Sequence, residues 1–277
     1  MSQITTFWTV INHDRVYVRT AAPACGAIEE PVLVLIHGLL ISSRYMIPTM
    51  ERLGARYRVY APDLPGFGKS TNPPQVLTVE ELSDAIVTWL DAMCLPRAVF
   101  LGNSLGAQIL IDLAARYPER VMGLVLIGPT VDPQARTIGQ QASRLLLDFI
   151  YEKPSLLYHL CIDFWRAGVW RTWQTFRYAL GDYTEAKLSA IQAPTLVVRG
   201  DRDKVAPQRW VEEMTARLHN GRLYVIPKGP HCVNYTTPGA LTQVVQTFIE
   251  ELRQMPAPLN KIRAGAGFLV NAVDPSE

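Results

Sequence analysis

The chain has 277 residues, with 27 Lys plus Arg against 25 Asp plus Glu and a formal net charge of +2. That near balance excludes the strongly basic face of a dedicated nucleic-acid binder. A hydrophobic content of 48% excludes a disordered chain and can fill a sizeable core. The length suits one large α/β domain, or one domain carrying an insertion. Cys25, Cys94, Cys161 and Cys232 are too few for a disulfide scaffold and have no CxxC spacing. They read as reduced thiols, with no metal site. The longest apolar run near a strand, residues 32–36, falls far short of the about 20 residues that span a membrane. Residues 1–10 have neither the basic nor the apolar region of a signal peptide. The expectation is a cytoplasmic protein without stable membrane insertion.

In chain order, residues 7–10 and 15–19 alternate around Asn12, His13 and Asp14 and predict a β-hairpin. Residues 31–37 form a Val/Leu/Ile run suited to a strand buried on both faces. A helix is expected over 43–55 and a strand over 56–61. Thr78-Val79-Glu80-Glu81 has the capping-box pattern, and Leu82, Ile86, Trp89, Leu90 and Met93 give the following helix one apolar face. Strand, helix and strand follow over 98–102, 105–117 and 121–128. Later come a strand over 194–200, a helix over 208–219, a strand over 223–226 and a helix over 238–253. Repeated strand–helix units imply a mostly parallel sheet with helices on both faces.

Residues 132–187 break this rhythm. They contain no good strand candidate and read as a helical insertion between two buried strands. The core is then 1–131 plus 188–254. Residues 255–277 carry Pro256, Pro258, Gly265 and Gly267 and read as a tail without regular structure.

Gly102-Asn103-Ser104-Leu105-Gly106 is Gly-x-Ser-x-Gly between a predicted strand and helix, the context the motif requires. A serine on so sharp a turn tolerates no bulky neighbours two residues away, hence the glycines. The following helix directs its N-terminal dipole and free N–H groups at a reacting oxygen. Serine needs a base. Of five histidines, His13 lies in a hairpin, His37 at a strand end, His159 in the insertion and His219 at a helix end. Only His231 lies in a loop after the last strand. The acid that orients it is Asp203, just beyond the strand ending at Gly200, with Asp132 as the alternative position. The order Ser104, Asp203, His231 is that of one fold.

On these motifs the chain resembles the α/β-hydrolase family over about residues 7–253. His37-Gly38 is similar to the family's oxyanion loop, Asp63 to Ser70 to its Asp-x-Pro-Gly-x-Gly-x-Ser loop, and Gly229-Pro230-His231 to its histidine loop. The resemblance implies an eight-stranded, mostly parallel sheet and a helical cap over the active site. It also implies an oxyanion hole from the N–H groups of Leu39 and Leu105, and no cofactor or metal. Haloalkane dehalogenases and epoxide hydrolases of this fold use an aspartate nucleophile, whereas position 104 is serine. Gly-Asn-Ser with Pro-Gly-Phe-Gly-Lys-Ser is similar to C–C bond hydrolases of aromatic degradation, which usually carry Trp soon after the histidine. Here Cys232 to Tyr235 follow.

The insertion holds ten of the chain's 25 aromatics in 56 residues, and the resemblance implies a cap lined partly by these rings, so Phe149, Trp165, Trp170 and Trp173, together with His37 and Asn103, are the expected pocket residues. Arg166, Arg171 and Arg177 read as a solvated helix face, with an anionic substrate or a lipid surface as the sharper alternative. The expectation is a serine carboxylesterase for a small to medium, largely apolar ester. A C–C hydrolase of a vinylogous diketo acid comes second, and a slow-turnover ligand receptor or scaffold third.

Overall fold

A strand order that reverses direction creates a crevice at the carboxyl edge of a parallel sheet, and this sheet has one such point. The computed structural model describes residues 2–24 and 29–255. Cys25 and the tail from residue 256 onward lie outside the described residues. The eight strands are β1 (Thr5–Ile11), β2 (Asp14–Ala21), β3 (Glu29–Ile36), β4 (Tyr57–Pro62), β5 (Ala98–Asn103), β6 (Val121–Ile127), β7 (Thr195–Gly200) and β8 (Gly221–Ile226). Their spatial order is β1-β2-β4-β3-β5-β6-β7-β8. β2 pairs antiparallel with β1 and β4, and all other neighbours are parallel. β4 lies on one side of β3 and β5 on the other, so the order reverses at the β3/β5 boundary.

Local chemistry accounts for the elements. Asn12 and His13 both have positive φ, the condition for a two-residue turn whose twist matches that of the strands. Every residue of β5 and β7 is buried, as their apolar runs Ala98–Leu101 and Leu196–Val198 suit. Edge strand β8 instead alternates half-buried and exposed residues.

Helices α1 (Ile47–Leu53), α2 (Val79–Ala92) and α3 (Leu105–Arg116) follow the first strands. The helix expected over 43–55 is a 3₁₀ turn, Ser43–Met46, followed by α1, because Pro48 has no N–H and belongs in a first turn. The capping box of α2 is formed: Thr78 N donates to Glu81 Oε2 at 2.8 Å, and Glu81 N to Thr78 Oγ1 at 3.2 Å.

Between β6 and β7 the chain makes α4 (Ile138–Asp148), α5 (Pro154–Ala167), α6 (Val169–Gly181) and α7 (Thr184–Lys187). Helices α8 (Gln208–Arg217), α9 (Val233–Thr236) and α10 (Pro238–Gln254) complete the fold. α9 occupies part of what reads from sequence as loop. One face of the sheet packs against α2, α3 and α8 around Trp89 and Trp210, and the other against α1 and α10 around Met50 and Phe248. No helix among the described residues is long and apolar enough to cross a membrane.

A tight backbone joint lies between α3 and β3. A Cβ on Gly106 would stand 2.4 Å from Ile36 O and 2.7 Å from His37 O, whereas one on Gly139 in α4 would meet nothing within 4 Å. Gly106→Ala is therefore expected to destabilise by about 2 kcal/mol or more, lowering the thermal midpoint by roughly 4–8 °C. Gly139→Ala is expected to leave it unchanged or raise it slightly. Thermal unfolding followed by circular dichroism checks both.

Candidate active site

The chain reverses at Ser104, between the end of β5 and the start of α3, with φ 57° and ψ −119°. Such a conformation costs a non-glycine residue of order 1–3 kcal/mol. It persists because both flanks are fixed. Ser104 N donates to Ile127 O at 2.9 Å, and every α3 residue from Leu105 to Ala114 is buried. The turn brings its own glycines together: a Cβ on Gly102 would stand 2.6 Å from Gly106 C and O. Larger side chains at 102 or 106 would force the turn open.

His231 enters from the loop after β8. Its Nδ1 lies 3.0 Å from Asp203 Oδ2. Asp203 is held in turn, because its Oδ1 accepts from Val205 N at 2.7 Å and Ala206 N at 2.9 Å. A carboxylate can only accept, so Nδ1 carries the proton and Nε2 of the neutral ring is the acceptor. Nε2 is buried and has no hydrogen-bond partner among the described residues. Asp132, the other position considered for the acid, is engaged elsewhere: Oδ2 lies 2.9 Å from Arg144 Nη1, and Oδ1 2.5 Å from Arg209 Nη2.

Two further carboxylates approach His231 from the insertion, and sequence reasoning missed both. Asp148, at the end of α4, accepts from His231 N at 3.3 Å and from Lys204 N at 3.2 Å. Glu152 accepts from Cys232 N at 2.6 Å and Thr236 Oγ1 at 2.5 Å. A signal was present. Leu145, Asp148, Phe149 and Glu152 recur at 3- and 4-residue spacing, so two acids sit on an otherwise apolar inward face. Burial alone would lower the His231 pKa. The Asp203 charge and hydrogen bond, with Asp148 and Glu152, overcome this and push it up to about 9. Burial pushes Asp148 up to about 7, with Asp203 and Glu152 adding to the rise and His231 opposing it. Burial and the same two acids keep the Cys232 thiol protonated.

Ser104 and His231 line one cavity at the β3/β5 reversal, roofed by the insertion. Leu39 and Leu105, expected as oxyanion donors, line it, as do Asn103 and Phe149. Asn103 acts as a girder. Its Oδ1 accepts from Tyr45 OH at 2.9 Å, and its Nδ2 donates to Ile127 O at 3.1 Å and His231 O at 3.2 Å. Tyr45 OH also accepts from Gly38 N at 2.9 Å, tying the β3 loop to the serine turn.

Four expected pocket residues lie elsewhere. His37 is fully buried and outside the cavity. Leu64 N donates to its Nε2 at 3.0 Å, so Nδ1 carries the proton and donates to Gly38 O at 2.9 Å. Both nitrogens are therefore used in bracing loops. Trp165, Trp170 and Trp173 are exposed and point away, because α5 and α6 turn Leu156, Leu160 and Phe176 inward instead. Arg171 is likewise outside the cavity, and its Nη2 donates to Pro73 O at 2.6 Å.

The sequence profile of the alpha/beta hydrolase family matches residues 33–244, from β3 into the last helix. The chain belongs to this family. Among curated relatives it is 25% identical to RutD of Pseudomonas savastanoi pv. phaseolicola, provisionally named a carbamate hydrolase, over 81% of this chain and 96% of that one. Among solved structures it is similar to a membrane phospholipase A, at 25% identity and a TM-score of 0.77, covering 91% of this chain and 87% of that one. It shares the fold of the enol-lactonase from Burkholderia xenovorans LB400, at 22% identity and a TM-score of 0.75, over 88% and 100% of the two chains.

In this alpha/beta hydrolase, Nε2 of His231 can accept a proton only while the ring is neutral, so any reaction that uses it as the base is expected to rise with pH toward a limb near 9. Asp148→Asn removes one of the negative neighbours. The limb is expected to move down by about one unit, measured as kcat/KM against pH on a soluble ester. Stability runs the other way. His231, raised from 6.5 to about 9 by folding, stabilises fully below pH 6.5, and that stabilisation is lost as pH rises through 9. Chemical denaturation at pH 7 and pH 9.5 should therefore show a loss.

Proposed function

We propose that this chain is a serine hydrolase cleaving an uncharged, largely apolar carboxylic ester through an acyl-enzyme on Ser104. The observation that carries the reading is the shared cavity. It holds Ser104 and the unpartnered Nε2 of His231 between mostly apolar walls, and no Lys or Arg among the described residues lines it.

Ser104 Oγ attacks the ester carbonyl while His231 Nε2 takes its proton. Asp203 holds the ring in the required tautomer and stabilises the imidazolium. The oxyanion forms at the first turn of α3, where the Leu105 N–H and the helix dipole favour negative charge, with the Leu39 N–H on the facing loop. Collapse breaks the C–O bond, and His231 returns the proton to the leaving alcohol. Water, deprotonated by His231, then attacks the acyl group, and Ser104 recovers its proton. The insertion serves as the cap that shapes the acyl pocket, through Leu145, Phe149, Leu156 and Phe176.

Charge separates this reading from cleavage of a diketo acid. Asp148 and Glu152 line the cavity and no Lys or Arg among the described residues does, while the His231 ring is already paired with Asp203, so an anionic substrate would find no free cation to pair with. Similarity to a structure named as a membrane phospholipase A also favours an ester.

Rates on neutral p-nitrophenyl esters of two to ten carbons, set against a vinylogous diketo acid, test the proposal. The expected result is turnover of the esters, at least about a thousandfold lower in Ser104→Ala. Preference for the diketo acid, or full activity in Ser104→Ala, would contradict it.

A further inference from the structure

The insertion is apolar on two faces at once. On α4 the side chains of Leu145 and Phe149 line the cavity, while Leu146, 70% exposed, and Ile150, 76% exposed, face outward. On α5 and α6 the inward set is Leu156, Leu160 and Phe176, while Trp165 is 75% exposed and Trp170 67% exposed. Of the seventeen exposed large hydrophobic residues among those described, thirteen lie in this insertion. A helix apolar all round is ordinarily covered on all sides, and so concentrated an exposed apolar surface marks an interaction site.

Charge on the same surface selects the partner. Between residues 138 and 177 the exposed charged residues are Lys153, Arg166 and Arg177, all cationic. The acids of the segment are turned inward: Asp148 and Glu152 hold the His231 loop, and Asp163 accepts from Ser42 N at 2.9 Å and Ser42 Oγ at 2.6 Å. Within residues 138–177 the exposed surface thus presents tryptophans and cations with no exposed carboxylate. Trp170 and Trp173 stack at 5.3 Å, and the Arg177 guanidinium lies 4.8 Å from the Trp173 ring centre. Indole rings flanked by guanidinium groups suit the boundary between acyl chains and anionic headgroups. A second copy of the same face would set cation against cation.

We infer that the outer face of α4–α6 docks on an anionic lipid surface, with Trp165 and Trp170 entering the headgroup boundary and Arg166 and Arg177 pairing with phosphates. Phe149 both lines the cavity and is 36% exposed, so docking sets one wall of the cavity against the lipid. For delivery of an ester from that surface the inference rests on the proposed function. The docking itself does not.

The test is co-sedimentation of full-length Ser104→Ala protein with phosphatidylcholine vesicles containing 30% phosphatidylglycerol, in low salt. The background protein is compared with two double variants made in it, Trp165→Ser/Trp170→Ser and Arg166→Glu/Arg177→Glu. The expected result is binding that falls at least tenfold in either double variant and at high salt, with unchanged thermal midpoints. The active counterparts should keep their rate on a soluble short-chain ester and lose rate on an ester held in the same vesicles. No binding to the anionic vesicles overturns the inference, as does equal binding by both folded double variants. So does a dimer, seen by sedimentation velocity, that the tryptophan substitutions dissociate without any vesicle binding. Vesicle binding with no ester turnover would instead leave the docking in place and remove the proposed reaction.

Discussion

The reversal at Ser104 places everything at the carboxyl edge of the sheet. There the backbone leaves a fully buried strand and enters a helix buried from Leu105 to Ala114 within one residue, at positive φ. The joint closes only because Gly102 and Gly106 let strand and helix approach, and because Gly106 lets α3 pack on the last carbonyls of β3. The approach fixes three things together: the serine stands at the strand-order reversal, the first residue of α3 lines the crevice, and the β3 loop is held alongside. Tyr45 and Asn103 then lock that loop and the His231 loop to the same turn. Strain at one residue is thus sustained by a rigid surround, and a site that must not relax during a reaction is built where relaxation is least available.

Around this turn, charge is arranged by burial. Three carboxylates converge on the His231 loop, and they differ in use. Asp203 bonds the ring itself, whereas Asp148 and Glu152 bond backbone N–H groups of residues 231 and 232. The latter two come from the insertion, so the element that roofs the cavity also holds the His231 loop in place. The same inward turn of the acids strips negative charge from the outer face of the insertion. A negative cavity and a cationic, apolar exterior are two consequences of one set of side-chain directions.

Much of this was legible in the sequence because it depends on short-range rules. The Thr78–Glu81 box formed as its spacing requires, and the runs over β3, β5 and β7 became interior strands. The serine turn, the pairing of Asp203 with His231 and the helical stretch between β6 and β7 followed from local pattern and chain order. Three features did not. The directions of Trp165, Trp170 and Trp173 could not be read because α5 and α6 are apolar on both faces, so periodicity offers no choice of side. His37 reads as a pocket residue because it ends a strand beside the site, yet Leu64 N and Gly38 O claim both of its nitrogens. Asp148 acts on an N–H group 83 residues away, a contact that only the folded insertion creates.

The account turns on one event, transfer of an acyl or phosphonyl group to the Ser104 oxygen with His231 as base. Intact-mass and peptide mapping after exposure to a neutral alkyl fluorophosphonate measures it directly. The account predicts a single adduct on the peptide carrying Ser104, formed faster as pH rises toward 9 and greatly slowed in His231→Ala. A folded protein that stays unlabelled, or an adduct placed on another residue, would contradict it.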